Sequence, residues 1–289
     1  MERCRIACVR YLNTVPLIHG LDRLEGVELI PAVPSRIAGM VRQGEADVGL
    51  CSIVDAVNGF PGLTLLPSGM IGCDGPTLTV RLFSAVPLEG VTAVHADSDS
   101  HTSVVLCRVL LKKLFGVTPS VVEFDARERV VRGGMGGDTP ALESAWPETV
   151  LLIGDKVVTD APPGDRYPYQ MDLGEAWARA TGLPFVYAMW MCLEGSEGSL
   201  GVRSAAAALD RTLRHNMTRL DWIVNRHAPE HRWPVELARK YLGEYLKYTV
   251  GPREREAVNL FLGEAAAMGL IEAGPARWAD AVGTIAAGS

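Results

Sequence analysis

The chain has 289 residues, 48% hydrophobic and 21% charged, which is globular composition with room for a sizeable core and two lobes. Its formal net charge is −6 and it contains no run of five basic residues, which argues against a nucleic-acid-binding surface. No apolar stretch approaches the ~20 residues of a membrane span, and the first residues lack the roughly 7–15-residue apolar core of a secretory signal, so a cytoplasmic protein is expected.

Taken in order, the first half alternates short apolar runs with helical patterns, which predicts an α/β fold with a largely parallel sheet. Arg5–Val9 reads as a strand, followed by a turn and helix from Thr14-Val15-Pro16. Val27–Pro31 is a second strand, and Ser35 is placed to cap a helix that turns Ile37, Ala38 and Val41 inward and stops at Gly44. Asp47–Cys51 is a third strand, with Ser52 as cap of a helix over Ile53–Val57. Pro76–Ala85 reads as a longer strand, Val91–His95 as another, and Thr102–Phe115 as a strong helix closed by Gly116. Ser120–Phe124 and Val150–Ile153 read as buried strands. Asp172 and Glu175 form a capping pattern for a helix around Trp177 that ends near Gly182.

Phe185–Leu193 is apolar and extended, long enough to travel between lobes. The remainder is helical: Leu209, Leu213, Met217, Leu220 and Val224 form one stripe. Ala238, Tyr241, Leu242 and Tyr245 form a second, and Ala257, Leu260, Phe261, Ala265 and Met268 a third. Gly133–Pro140 reads as a surface loop. Crossings near residues 86 and 190 would give one lobe of residues 1–86 plus 190–289 and another of 87–189, with a ligand held between them.

The six cysteines include no C-x-x-C pair and read as small buried hydrophobes. His227 and His231 are four apart with Pro229 between them, and no third ligand is close in sequence, so no metal is expected. Phosphate-loop, dinucleotide and G-x-S-x-G signatures are absent, and no cofactor is expected.

What remains is a set of small polar groups at strand ends. Asn13 follows the first strand, where open α/β sheets bind ligands; it suits either a turn or a hydrogen bond to an oxyanion or hydroxyl. Ser52 ends the third strand with the same two uses. His101, Thr102 and Ser103 open the strong helix, where free N–H groups and the helix dipole suit an anion, or where the hydroxyls simply cap. Asp155 follows Leu151–Gly154 and serves either as a site group or as a cap. The residues alone imply a two-lobed cleft protein that binds a small carboxylate.

An ordered set of motifs adds to this. Tyr11-Leu12-Asn13-Thr14-x-Pro16-Leu17, Gly44-x-x-Asp47-Val48-Gly49-Leu50, Gly72-Cys73-Asp74-Gly75-Pro76, Thr102-Ser103, Leu151-Leu152-Ile153-Gly154-Asp155, Asp172-Leu173-Gly174-x-x-Trp177 and Thr181-Gly182-Leu183-Pro184-Phe185-Val186 occur in sequence. Together with Trp190 they resemble the chorismate dehydratases of the futalosine route to menaquinone. The resemblance covers most of residues 5–192. It implies a two-lobed fold like that of type II periplasmic binding proteins, with a C-terminal helical segment, and conversion of chorismate to 3-[(1-carboxyvinyl)oxy]benzoate.

By that resemblance Asn13 is the catalytic side chain, and Ser52, Thr79, Thr102 and Ser103 lie at the substrate; His101 and Asp155 join them as substrate-binding candidates from their places in the chain. His101 stands where the family commonly has Arg, and Arg129–Pro147 departs from the family's usual helix. The competing readings are a non-catalytic binder or sensor of a small carboxylate, and the sister enzyme that makes 1,4-dihydroxy-6-naphthoate.

Overall fold

The computed structural model describes residues 3–96, 101–124 and 146–279. Gly133–Pro140 and most of the divergent stretch Arg129–Pro147 lie outside the described residues, as does Asp97–Ser100.

Twelve strands among the described residues form two sheets. They are β1 (Cys4–Cys8), β2 (Val27–Pro31), β3 (Val48–Ser52), β4 (Leu63–Cys73), β5 (Val80–Ser84), β6 (Ala93–Ala96), β7 (Ser120–Glu123), β8 (Thr149–Ile153), β9 (Tyr169–Asp172), β10 (Phe185–Leu193), β11 (Leu246–Lys247) and β12 (Arg277–Trp278). The first sheet has the order β11-β4-β10-β3-β1-β2, with β12 also on β4; the second has the order β7-β6-β8-β5-β9. Both are mixed rather than largely parallel. β10 runs antiparallel between β3 and β4, and β5 runs antiparallel to β8 and β9. The chain leaves the first sheet after Cys73 and rejoins it at Phe185, so the change of sheet falls before residue 86 on the way out and before residue 190 on the return.

The alternation of β1 shows how the core is divided. Cys4, Ile6 and Cys8 face one side, where the C-terminal helices pack with Val202, Leu209, Leu213 and Tyr241. Ala7 faces the other, where Ile37, Val41, Met189 and Met191 join a core that continues to the second sheet. Stripes of period 2 and 3.6 therefore meet as the sequence pattern requires. All six cysteines are buried and unpaired; burial pushes the Cys107 thiol up to about 12.

Several local expectations change. Ser35 lies inside the helix Pro34–Arg42; the cap is Val33, with no side-chain hydrogen bond. Ser52 does precede a short 3-10 turn (Ile53–Ala56), but its hydroxyl does not cap it. β7 is exposed along its length rather than buried, as befits an edge strand. Leu260 is on the exposed side of its helix. Val80–Ser84 is shorter than the strand expected over Pro76–Ala85, because Gly75–Thr79 forms a loop in which Leu78 has φ 67°. Asp172 holds that conformation: its carboxylate accepts from Thr77 N at 2.9 Å and Leu78 N at 2.7 Å, and from Glu175 N at 3.1 Å as a helix cap.

Candidate functional site

Strand ends from both sheets meet around one narrow cavity that opens to solvent. The first-sheet side supplies Tyr11, Asn13, Ser52, Tyr187 and Tyr241; the second supplies Thr79, Thr102, Ser103 and Gly154, with Thr77 on the loop between. Five of the seven expected site residues are thus brought together: Asn13, Ser52, Thr79, Thr102 and Ser103.

Asn13 sits in the 3-10 turn Leu12–Thr14 after β1. Thr14 Oγ1 fixes that turn, lying 2.7 Å from the Tyr11 carbonyl and 3.0 Å from that of Val9. Thr79 Oγ1 lies 2.6 Å from the Tyr241 hydroxyl, with the Asn13 amide nearby. Asn13 Oδ1 is left buried with no partner. Thr102 Oγ1, at the start of the helix His101–Phe115, is likewise buried and without a partner. Leaving a buried polar group unsatisfied costs about 1–3 kcal/mol, so two such groups in one cavity are able to take up hydrogen bonds from a ligand. The first N–H groups of that 15-residue helix have no intrahelical acceptor and carry the positive end of its dipole.

Among the described residues the cavity wall carries no lysine, arginine, histidine or carboxylate. Its buried phenols are not bases either: burial raises the Tyr187 and Tyr241 hydroxyls above the ordinary tyrosine value. Tyr187 OH lies 2.7 Å from Thr77 Oγ1, which ties the loop to β10.

Two of the expected residues lie outside the cavity lining. His101 does not line the cavity; its Nδ1 lies 3.0 Å from Asp55 Oδ1, in a pair that crosses from the second sheet's helix to the turn after β3. Asp55 is nearly fully buried and keeps the imidazole protonated to higher pH than usual. Asp155 does not line the cavity either. Its carboxylate accepts from Leu12 N at 3.3 Å and Trp233 Nε1 at 3.1 Å, and Oδ2 lies 2.9 Å from His231 Nδ1. The cavity residues missed from sequence are Tyr187 and Tyr241. Their only signal was a phenol on an otherwise apolar face, which needs a hydrogen-bond partner when buried.

Among the described residues no group of three or more histidines, cysteines or carboxylates could hold a metal, and no helix is long and apolar enough to cross a membrane.

Known proteins share this fold and family. The solved structure of a protein from Archaeoglobus fulgidus superposes with a TM-score of 0.65 at 14% identity, covering 93% of this chain and 98% of that one. The alkanesulfonate-binding protein SsuA from Xanthomonas axonopodis pv. citri, bound to MOPS, gives 0.65 at 11% identity over 94% and 95%. The periplasmic aliphatic sulphonate binding protein SsuA from Escherichia coli gives 0.60 at 14% over 93% and 92%. The fold is therefore that of the periplasmic binding proteins. In sequence, the chain is 32% identical over 195 residues to the chorismate dehydratase of Thermus thermophilus, a match spanning 63% of this chain and 66% of that enzyme. A family model described as menaquinone biosynthesis matches residues 4–267, and the chain belongs to that family.

Proposed function

We propose that the chain dehydrates chorismate to 3-[(1-carboxyvinyl)oxy]benzoate. The observation that carries this reading is the pair of buried, unpartnered oxygens, Asn13 Oδ1 and Thr102 Oγ1, in one cavity of uncharged walls. Chorismate offers a hydroxyl and two carboxylates. Asn13 Oδ1 accepts from the C4 hydroxyl and orients that C–O bond. Thr102, Ser103 and the first N–H groups of their helix donate to the ring carboxylate.

The C3–H of chorismate is γ to that carboxylate through a double bond, so charge released on its removal spreads to the carboxylate oxygens. Donors that bind them more tightly as charge builds lower the barrier, as an oxyanion hole does. The C3 proton passes to the substrate's own enolpyruvyl carboxylate, since the described wall supplies no base. The C4–O bond then breaks with its electron pair, the proton held on the enolpyruvyl carboxylate passes to the departing oxygen so that it leaves as water, and the ring becomes aromatic. Holding the substrate in this shape contributes several kcal/mol, on the order of the orientation effects seen in intramolecular reactions.

The uncharged wall also favours a second reading, a binder of a small carboxylate that does no chemistry. Incubation with chorismate, followed by chromatography with mass detection, separates the two. Dehydration requires loss of one water to an aromatic enolpyruvyl ether. Asn13→Ala should slow that step by about 10²-fold through lost orientation. Saturable chorismate binding with no product would favour the binder instead.

A further inference from the structure

We propose that Asp155 is a positioning residue for Asn13, acting across the cleft without touching the ligand. This rests on the reading of Asn13 given above. Asp155 follows β8 in the second sheet, yet all three of its side-chain partners belong to elements packed on the first: Leu12 beside Asn13, and His231 and Trp233 between two C-terminal helices.

Its carboxylate reaches Asn13 by two routes. Oδ2 accepts from Leu12 N at 3.3 Å and so fixes the turn that carries the amide. Oδ1 accepts from Trp233 Nε1 at 3.1 Å. The Trp233 ring stacks on Tyr241 at 4.9 Å between centroids and 18° between planes. Tyr241 in turn places its hydroxyl against Thr79 Oγ1 and the Asn13 amide. The two routes therefore converge on one amide, from its backbone and from its side chain. Asn13 lines the cavity, and its Oδ1 is buried there without a partner.

The carboxylate has no atom to spare, which makes its two routes separable by substitution. Asp155→Asn places an NH2 where one of the two oxygens was, so it can keep one of the N–H donors Leu12 and Trp233 but not both. Trp233→Phe keeps an aromatic ring beside Tyr241 while removing the indole N–H together with part of the buried ring.

The experiment measures both single variants and the double variant in steady-state chorismate turnover, with amide hydrogen exchange on the free proteins. Each single variant is expected to lower kcat about 10–100-fold with KM within about 3-fold, the signature of a displaced reacting group. The double variant is expected to fall well short of the product of the single effects, since both act on one amide. Exchange at Leu12 and Asn13 should quicken in Asp155→Ala, measured alongside because it leaves neither donor an acceptor, while β1 and β10 stay protected. The exchange result is read without substrate, so it stands apart from whether chorismate is turned over. Unchanged exchange at Leu12–Asn13, or a rise in KM at constant kcat, would overturn the proposal and return Asp155 to ligand binding.

Discussion

Gly174→Ala tests whether the Thr77 loop is a rigid wall of the site. Gly174 is the second residue of the helix Leu173–Thr181, and its backbone angles suit any residue. Helix propensity alone therefore favours Ala, by up to about 1 kcal/mol. Sterics oppose it. A Cβ there would lie 2.0 Å from Thr77 Oγ1, 2.5 Å from Cys73 Sγ and 2.8 Å from the Gly75 carbonyl oxygen. Two of the three cannot swing clear cheaply: Thr77 is held by Tyr187 at 2.7 Å and by Asp172 at its N–H, and the Gly75 atom is backbone. Overpacking of a tight site costs about 1–3 kcal/mol, and breaking the Thr77–Tyr187 bond adds about 1 kcal/mol.

The clash therefore wins, and the net loss is about 2 kcal/mol. Equilibrium urea unfolding should show a lower midpoint at unchanged slope, and chorismate should bind more weakly because Thr77 and Thr79 line the cavity. A variant within about 0.5 kcal/mol of the parent, or more stable, would refute the argument by showing that the loop yields without cost.

Thr102→Val removes the unpartnered hydroxyl while keeping shape, so stability should hold or rise slightly while chorismate affinity falls about 10-fold, the value of one hydrogen bond to a charged group. Calorimetric unfolding beside isothermal titration checks the opposite signs. His101, raised by Asp55, adds stability that is complete below about pH 6.5 and is lost as pH rises through its folded value. The imidazole is 42% exposed, so solvent screening keeps the effect under about 1 kcal/mol. Urea midpoints between about pH 6 and 8.5 should decline in the parent and lose that decline in His101→Gln. His101→Arg, charged throughout, should hold the acid-side level across the range.

Much of the architecture was legible where pattern and turn chemistry agreed. Val27–Pro31 and Phe185–Leu193 fall where their apolar runs placed them, and Asp172 caps its helix as the capping pattern implied. β4 was not legible. Pro67, Gly69 and Gly72 break its sequence like a loop, yet it carries 11 residues of the first sheet. The register against β10 shifts between Leu66 and Met70, so an irregular stretch absorbs the proline and the φ 137° of Gly69. In the site, groups at strand ends and helix starts were readable because their chemistry is local. Tyr241 was not, since its hydroxyl meets Thr79 across 162 positions of chain. Asp155 was read as a ligand group because sequence places it beside the cavity; only the fold shows its oxygens turned to Leu12, Trp233 and His231.

The threading of the two sheets also sets an order of events during synthesis. Every strand of the second sheet comes from residues 80–172, one continuous stretch, so it can be completed as soon as that stretch leaves the ribosome. The first sheet must wait. β4 is made early, but each of its partners, β10, β11 and β12, follows residue 184. For the time it takes to make more than a hundred residues, a long apolar strand therefore exists with both edges unpaired, the condition that invites pairing with another chain. A nascent chain stalled before Phe185 would carry one finished sheet and one adhesive strand, and chaperone demand during expression should peak over that interval.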